Sequence, residues 1–88
     1  MKKKRIGEWA ELYKKQFYMV HANIEGWGKP TTIKGHLPDL MASKVLERVV
    51  IQIETHDTVD TEQSQSRKKA FEEWALQNPN RKFMIDVV

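Results

Sequence analysis

Three polar residues stand in two segments that otherwise have the composition of buried β-strands. Asp39 lies in "HLPDLMAS", and Gln52 and Glu54 lie in "RVVIQIET". Carboxylate and carbonyl oxygens are the ligands that Mg²⁺ or Mn²⁺ prefers, and these ions borrow further oxygens from water and substrate phosphates. The three residues therefore form a candidate metal site if the fold brings them together. The structural alternative is that Asp39 caps a turn after Pro38 while Glu54 pairs with a helix lysine.

The two segments, 36–43 and 48–55, predict the strands of a β-hairpin connected by residues 44–47. In this register Asp39 lies opposite Gln52, and Leu37 lies opposite Glu54. Because opposed residues share one face of a sheet, the three polar side chains meet on a partly exposed face. The apolar residues of the second strand form the other, core-facing side: Val49, Ile51 and Ile53. A slip by one residue would place the Asp39 charge on the core side, which is costly.

Two amphipathic helices are predicted on either side of this hairpin. The first covers residues 6–20, after a frayed basic lead-in over 1–5, and the second follows an N-cap at Asp60 and runs to about Gln77. The first apolar stripe has three- and four-residue steps: Ile6, Trp9, Ala10, Tyr13, Phe17 and Val20. The second stripe has the same steps: Arg67, Ala70, Phe71, Trp74 and Ala75. Residues 21–32, broken by glycines and Pro30, leave room for a short irregular strand.

Residues 81–88 predict a final strand, because "NPN" stops the second helix and an apolar-rich segment follows. A strand–helix–strand connection favours a right-handed crossover, which makes the last strand parallel to a hairpin strand. The predicted fold is α/β: one domain over residues 1–88 with a small mixed sheet, a hairpin plus a parallel C-terminal strand, flanked by two helices.

The composition excludes several classes of protein. The chain has 88 residues, 40% hydrophobic and 31% charged, which is typical of a single globular domain. It has no cysteine, so disulfide frameworks and cysteine-based zinc sites are excluded. No apolar run approaches the ~18 residues of a membrane span, and no apolar stretch follows the basic start as it would in a secretory signal. We therefore expect a cytoplasmic protein without membrane association.

The charge changes sign along the chain. Residues 1–34 carry eight Lys/Arg and three Asp/Glu, residues 35–66 two and six, and residues 67–88 five and three, giving +5, −4 and +2. This pattern is typical of a cation site within a surface that attracts phosphates, although chance clustering on a solvated surface would look the same. The candidate contacts to a nucleic-acid backbone are basic residues outside the acidic segment: Lys2, Lys3, Lys4, Arg5, Lys29, Lys34 and Lys68.

The pattern "GHLPDLMAS … RVVIQIET", followed by "HDTVDTEQSQSRKKAFEEWA", resembles the core of the PD-(D/E)xK nuclease superfamily over residues 35–75. In that superfamily a Pro-Asp pair, an acidic-x-Lys triplet on the next strand and a following helix build the site. The resemblance implies a nuclease that hydrolyses DNA phosphodiester bonds with Mg²⁺ or Mn²⁺ and a metal-activated water. It also implies a restriction-endonuclease-like fold and, for so small a core, pairing of two copies.

The resemblance assigns roles to particular residues. Asp39 matches the metal-binding aspartate, Gln52 falls on the acidic position and Glu54 on the lysine position, where some restriction-type members also have Glu. A neutral amide at Gln52 implies weaker metal binding. The alternative is therefore a catalytically impaired fold that binds nucleic acid or protein. Glu11, with Glu8 as its neighbour, and Lys69, beside Lys68, are the candidate accessory residues.

Two further features leave other sites open. His36 and His56 flank the acidic residues and would shift a mixed site toward Mn²⁺ or Zn²⁺, but the histidine spacing gives no zinc motif. Trp27 lies in a glycine-rich loop beside Lys29 and Lys34, where an exposed ring would stack on bases or bind a protein partner.

Overall fold

The computed structural model describes residues 1–88 and contains one mixed sheet covered by a helix on each side. The elements in chain order are α1 (Lys2–Lys15), β1 (Met19–Ala22), β2 (Leu40–Lys44), β3 (Glu47–Glu54), α2 (Glu62–Leu76) and β4 (Arg81–Val87). The strand order is β1-β2-β3-β4, with β3 and β4 parallel and the other pairs antiparallel. The predicted α/β layout is therefore confirmed, and α2 provides the long crossover that a parallel pair requires.

Each face of the sheet has its own hydrophobic cluster. The side covered by α1 holds eight buried residues: Ile6, Ala10, Ala22, Leu40, Ala42, Val49, Ile51 and Ile53. The side covered by α2 holds five: Ile33, Met41, Val50, Phe71 and Trp74. The middle of β3 is buried on both faces, which explains its nearly continuous run of β-branched residues.

The predicted hairpin register is confirmed where the strands pair. Ser43 lies opposite Arg48 and Met41 opposite Val50, as the alternation requires. Lys44 and Glu47 also pair, so the turn has two residues, Val45 and Leu46, rather than the predicted four. Neither turn residue has the positive φ of a type I′ turn, the turn that Asn-Gly sequences favour.

The boundaries of the first helix differ from the prediction. Residues 1–5 are not a frayed lead-in, because α1 begins at Lys2, and the helix ends at Lys15 rather than at residue 20. The helix ends because Phe17 adopts a left-handed conformation, with a φ of 67°. The Phe17 N–H bonds to the Lys14 carbonyl, and the Tyr18 N–H bonds to the Tyr13 carbonyl. This is the Schellman arrangement, which usually places glycine at the left-handed position. Phe17 therefore continues the apolar spacing without continuing the helix.

Three further corrections concern strand and helix ends. β1 occupies residues that the sequence pattern divides between a helix and an irregular segment, and it pairs Val20 with Ala42. β2 begins at Leu40 rather than at residue 36, because Pro38 has no N–H to donate to a ladder. The N-cap of α2 is Thr61 rather than Asp60, with the Ser64 N–H donating to Thr61 Oγ1 at 3.2 Å.

No helix of the structure has the length and apolar character needed to cross a membrane.

Candidate functional site

The three polar residues singled out by type and spacing are all deeply buried. Asp39 is 4% exposed, Gln52 is 1% exposed and Glu54 is 3% exposed. Gln52 and Glu54 alternate with Ile53 along β3 and therefore face the side covered by α2. The prediction of a partly exposed face is wrong, because α2 packs over these side chains and contributes the buried Ser64 to them.

Glu54 is held by donors from three parts of the chain. Thr58 Oγ1 donates to Oε1 at 2.7 Å, and Ser64 Oγ donates to the same oxygen at 2.9 Å. Gln52 Nε2 donates to Oε2. Thr58 lies in the turn after β3, and Ser64 lies in the first turn of α2 that Thr61 caps. The turn and the helix cap together place both hydroxyls over one carboxylate.

The donors around Glu54 decide its ionisation. Burial by itself would raise the pKa of Glu54, since it disfavours the charged form. The hydrogen bonds from Thr58, Gln52 and Ser64, together with the positive charge of Arg67, outweigh burial and hold the pKa below its ordinary value. Glu54 is therefore a buried carboxylate that stays ionised at neutral pH.

Asp39 lies at the open end of the hairpin, the end away from the turn, and contacts β3, α1 and the segment after β1. Its Oδ2 accepts the Ile53 N–H at 2.8 Å, and Lys2 Nζ lies 3.3 Å from its Oδ1. Its main-chain oxygen accepts the Asn23 N–H at 2.9 Å. Strand pairing ends at Leu40 opposite Ile51, so a side-chain carboxylate takes the place that the next backbone pair would occupy.

These contacts decide between the two structural roles considered for the acidic residues. Asp39, which follows Pro38, does accept a backbone N–H. The donor, however, is Ile53 on the opposite strand and not a residue of its own turn. Glu54 does not pair with a helix lysine; the positive charge that acts on it belongs to Arg67. Lys2 thus compensates Asp39, and Arg67 acts on Glu54.

Gln52 carries the one unmet acceptor of the cluster. Its Oε1 is buried and has no hydrogen-bond donor, while its Nε2 is used by Glu54. Arg67 Nε is likewise buried without an acceptor. Buried polar atoms are nearly always paired in folded proteins, so this amide oxygen is the atom that a bound cation or water would satisfy.

A metal site here would need oxygen atoms that the chain has not already used. One oxygen of each residue keeps a lone pair that no donor of the chain takes: Asp39 Oδ1, Gln52 Oε1 and Glu54 Oε2. All three are oxygens, as Mg²⁺ and Mn²⁺ prefer. No group of three His, Cys, Asp or Glu residues gathers anywhere in the structure. A cation here would therefore depend on Gln52 as its third protein ligand.

The predicted accessory residues lie apart from these contacts. Glu11 is exposed on α1 and forms no hydrogen bond or salt bridge, and Glu8 pairs with Arg5 at 3.6 Å. Lys69 is exposed and Lys68 is half-buried on α2, and neither contacts the cluster. The residue of that helix that acts on Glu54 is Arg67, which precedes both lysines.

The predicted phosphate-binding residues fall into paired and unpaired groups. Lys2 belongs to the acidic cluster, whereas Lys3 and Lys4 are exposed and unpaired. Lys34 Nζ lies 2.8 Å from Glu73, and this hydrogen bond lowers the pKa of Glu73. The others have weaker contacts: Arg5 lies 3.5 Å from Asp86 and 3.6 Å from Glu8, and Lys29 donates to Asn23 at 3.0 Å.

The histidine and tryptophan candidates are placed elsewhere. His36 packs edge-on against Phe71, with ring centroids 6.4 Å apart, and His56 is exposed. Trp27 is half-buried against the α1-side core, with Lys14 Nζ 5.6 Å from its ring centroid. The Trp27 ring is therefore only partly exposed, because the loop folds back onto α1.

Sequence reasoning does not assign four residues to the site: Lys2, Thr58, Ser64 and Arg67. The sequence pattern starts the first helix at residue 6, so it places Lys2 in a basic lead-in that would contact phosphate and not beside the acidic residues. Ser64 and Phe71 are seven residues apart and share the buried stripe of α2. A small polar residue in a buried helical position is the available signal for Ser64.

Comparison of the chain with protein-family models, with curated proteins and with solved structures gives no match. The functional conclusion must therefore come from the chemistry of the site.

Proposed function

We propose that this domain is a metal-dependent nuclease-like protein that hydrolyses DNA phosphodiester bonds, with Asp39, Gln52 and Glu54 holding Mg²⁺ or Mn²⁺. The observation that supports it is the buried Gln52 Oε1, which has no donor and lies on the residue that bonds to the ionised Glu54. A cation would supply the partner that this oxygen lacks. A cation would also balance two carboxylates in a region from which water is largely excluded.

The residues of the chain prepare this site for a phosphate. Thr58 and Ser64 fix the orientation of the Glu54 carboxylate and keep it ionised. The side chain of Lys2 is 42% exposed and lies 3.3 Å from Asp39, so its ammonium group stands between the cluster and solvent. There it would contact an incoming phosphate, while Lys3 and Lys4 would bind the backbone further out. A bound divalent ion would lower the pKa of a water molecule and neutralise charge on the phosphate.

A Mn²⁺ titration followed by NMR tests the site, and a cleavage assay on supercoiled, linear and branched DNA tests the activity. We expect signals around Asp39 and Glu54 to broaden first, and we expect cutting that depends on Mg²⁺ or Mn²⁺. Asp39→Asn should lose both effects, whereas the exposed Asp57→Asn should retain them. Equal cutting by wild type and Asp39→Asn, or no broadening near β3, would contradict the proposal.

Substitutions at Gln52 separate metal binding from folding. Gln52→Glu adds a third carboxylate, so we expect tighter Mn²⁺ binding together with a lower thermal midpoint in the absence of metal. Gln52→Met keeps the volume but removes the oxygen, so it should fold and should bind Mn²⁺ more weakly than wild type. A thermal midpoint of Gln52→Glu that Mn²⁺ does not raise would count against a metal at this position.

A second candidate function is a catalytically impaired nuclease-like fold that serves as a nucleic-acid or protein binding module. The observation in its favour is that every oxygen of Asp39 and Glu54 already accepts a hydrogen bond or salt bridge from the chain. In that case the cluster fastens β2, β3 and α2 together. This candidate predicts salt-sensitive DNA binding that is unchanged by a chelator, measured by fluorescence anisotropy. Metal-dependent cleavage would contradict it.

DNA is the partner in the leading proposal. Cutting both strands of a duplex in one binding event needs two sites, so the proposal includes a pair of copies of this chain. The metal site itself does not define the surface that would join them.

A further inference from the structure

Four large apolar side chains are exposed together at the turn end of the β2–β3 hairpin. Phe17 is 92%, Met19 67%, Val45 98% and Leu46 75% exposed. We call these four residues the turn patch. With Ser43, Lys44 and Glu47 they line an open depression of about 840 Å³. Contiguous apolar surface of this kind on a small protein usually marks a contact with another molecule.

Phe17 occupies a position that would suit glycine better. Its φ of 67° is left-handed, a conformation in which any residue with a Cβ is strained and a glycine is not. Its side chain is almost fully exposed and adds nothing to the core clusters. An aromatic ring that is strained in the backbone and exposed to water does not stabilise a solitary chain, which points to a role outside the fold.

The hairpin turn shows the same preference for apolar residues. A two-residue turn favours Asn-Gly or a similar polar pair, yet this turn consists of Val45 and Leu46. Met19 pairs with Ser43, so β1 brings Met19 beside the turn, and the helix end brings Phe17. Three separate elements thus place apolar residues at one spot, and at two of them, the helix end and the hairpin turn, local structure favours glycine or polar residues.

Size and charge favour a second copy of the chain as the occupant. Side chains of these types and exposures present roughly 500 Å² of apolar surface. A symmetric contact would bury about 1,000 Å² from two copies, and the rim would raise this to about 1,200 Å², the lower end for a specific interface. The rim holds charges of both signs, Lys44 and Glu47, so two copies would not oppose a single sign of charge, although Glu47 already pairs with Lys82 at 3.6 Å and Lys44 lies over the Tyr18 ring.

We propose that the turn patch is a self-association surface through which two copies of this chain form a weak two-fold dimer. The inference does not rest on the metal site, because no residue of the patch contacts Asp39, Gln52 or Glu54. It names the surface by which a nuclease-like domain would pair, and it stands if the domain proves to bind nucleic acid without cutting it.

Sedimentation equilibrium from micromolar to millimolar protein concentration tests the proposal. We expect the mass to rise from 10.4 kDa toward twice that value as concentration increases. Phe17→Gly should weaken self-association by about tenfold or more while leaving the thermal midpoint of the dilute protein unchanged or higher. The double variant Val45→Asn with Leu46→Gly should act in the same direction and should also remain folded.

The matched control is Leu76→Ser, because Leu76 is 86% exposed at the end of α2 and lies outside the turn patch. It should associate like wild type. A wild-type mass of one chain at millimolar concentration would overturn the proposal. The proposal would also fail if Leu76→Ser weakened association as much as Phe17→Gly, or if the NMR shifts on dilution lay along β4 rather than at residues 17–19 and 44–47.

Discussion

The two ends of the β2–β3 hairpin place side chains in opposite ways. At the open end, Asp39, Gln52 and Glu54 are buried, with Ser64 of α2 bonded to Glu54, although charged groups normally lie at the surface. At the turn end, Val45 and Leu46 project into solvent beside Phe17, although large apolar groups normally lie inside.

At both ends of the hairpin, the residue types depart from those that burial or solvent exposure normally favours. At the open end nearly every polar side-chain atom of these residues has a hydrogen-bond or salt-bridge partner, so the buried charges hold the neighbouring elements together. Only Gln52 Oε1 remains without a donor. The turn end has no such compensation, since its apolar side chains gain nothing from the rest of the domain. Changes at the open end should therefore cost stability, and polar changes at the turn end should increase it.

The largest expected effect is that of Glu54→Ala. Removing this carboxylate leaves the Thr58 and Ser64 hydroxyls and the Gln52 amide without their acceptor and opens a cavity. We expect a loss of about 3 kcal/mol or more in the free energy of unfolding, measured by urea denaturation. The control Glu73→Ala removes an exposed glutamate of α2 and should change stability little. Equal losses in the two variants would remove the distinction between the ends of the hairpin.

The next effect is a dependence of stability on acid pH. The folded-state pKa of Glu54 lies below the ordinary value of 4.5, so its contribution is present above the unfolded pKa. That contribution is lost as the pH falls through the folded pKa. Glu54→Gln removes the titration, and Gln52 can rotate its amide to meet the new side chain. We therefore expect the stability difference between wild type and Glu54→Gln to shrink below about pH 4.5, measured by urea unfolding across acid pH.

At the turn end, Phe17→Gly should stabilise the dilute, monomeric protein. Relief of the left-handed strain, less the added freedom of glycine in the unfolded chain, predicts a gain of about 0.5–1 kcal/mol. For a domain of this size that gain corresponds to roughly 2–8 °C in thermal midpoint. Leu76→Gly is the matched control, since it removes an exposed leucine from a helical position and should lose stability. A fall in midpoint for Phe17→Gly would show that its ring does stabilise the monomer.

The smallest effect is expected from Val45→Asn combined with Leu46→Gly. The Asn-Gly pair would allow a type I′ turn, whose twist matches that of the two strands, so we expect a gain of a few tenths of a kcal/mol. Calorimetry on dilute protein would detect the direction. A clear loss would mean that the exposed turn residues contribute to the fold in a way that their solvent exposure conceals.

Most of the fold could be predicted because the spacing of apolar residues indicates which face of each strand or helix is buried. The alternation of Val49, Ile51 and Ile53 predicted the register of β2 and β3, and the stripe of α2 predicted its buried face. The end of α1 could not be predicted in this way. Phe17 keeps the apolar spacing, and nothing in the spacing shows that a residue other than glycine adopts the left-handed conformation.

The strand register of the candidate site residues could be predicted, but their environment could not. Asp39, Gln52 and Glu54 were grouped by strand register, which the pairing of Met41 with Val50 supports. Their burial depends on α2 covering a polar face, and that is favourable only because Thr58, Ser64 and Lys2 satisfy the carboxylates. Lys2 comes from the opposite end of the chain, and Thr58 and Ser64 come from the loop and helix after β3, so the strand pattern does not predict these partners. The metal and nuclease roles remain proposals.

The position of β3 has a consequence for local motion. Six of its eight residues are buried, and from Arg48 to Ile51 it has a hydrogen-bonded strand on both sides. Its central amides should exchange with deuterium only when the whole domain opens. Gln52 and Glu54 lie just beyond this part, where β4 alone pairs with β3, so their amides are expected to exchange faster than those of Val49 to Ile51.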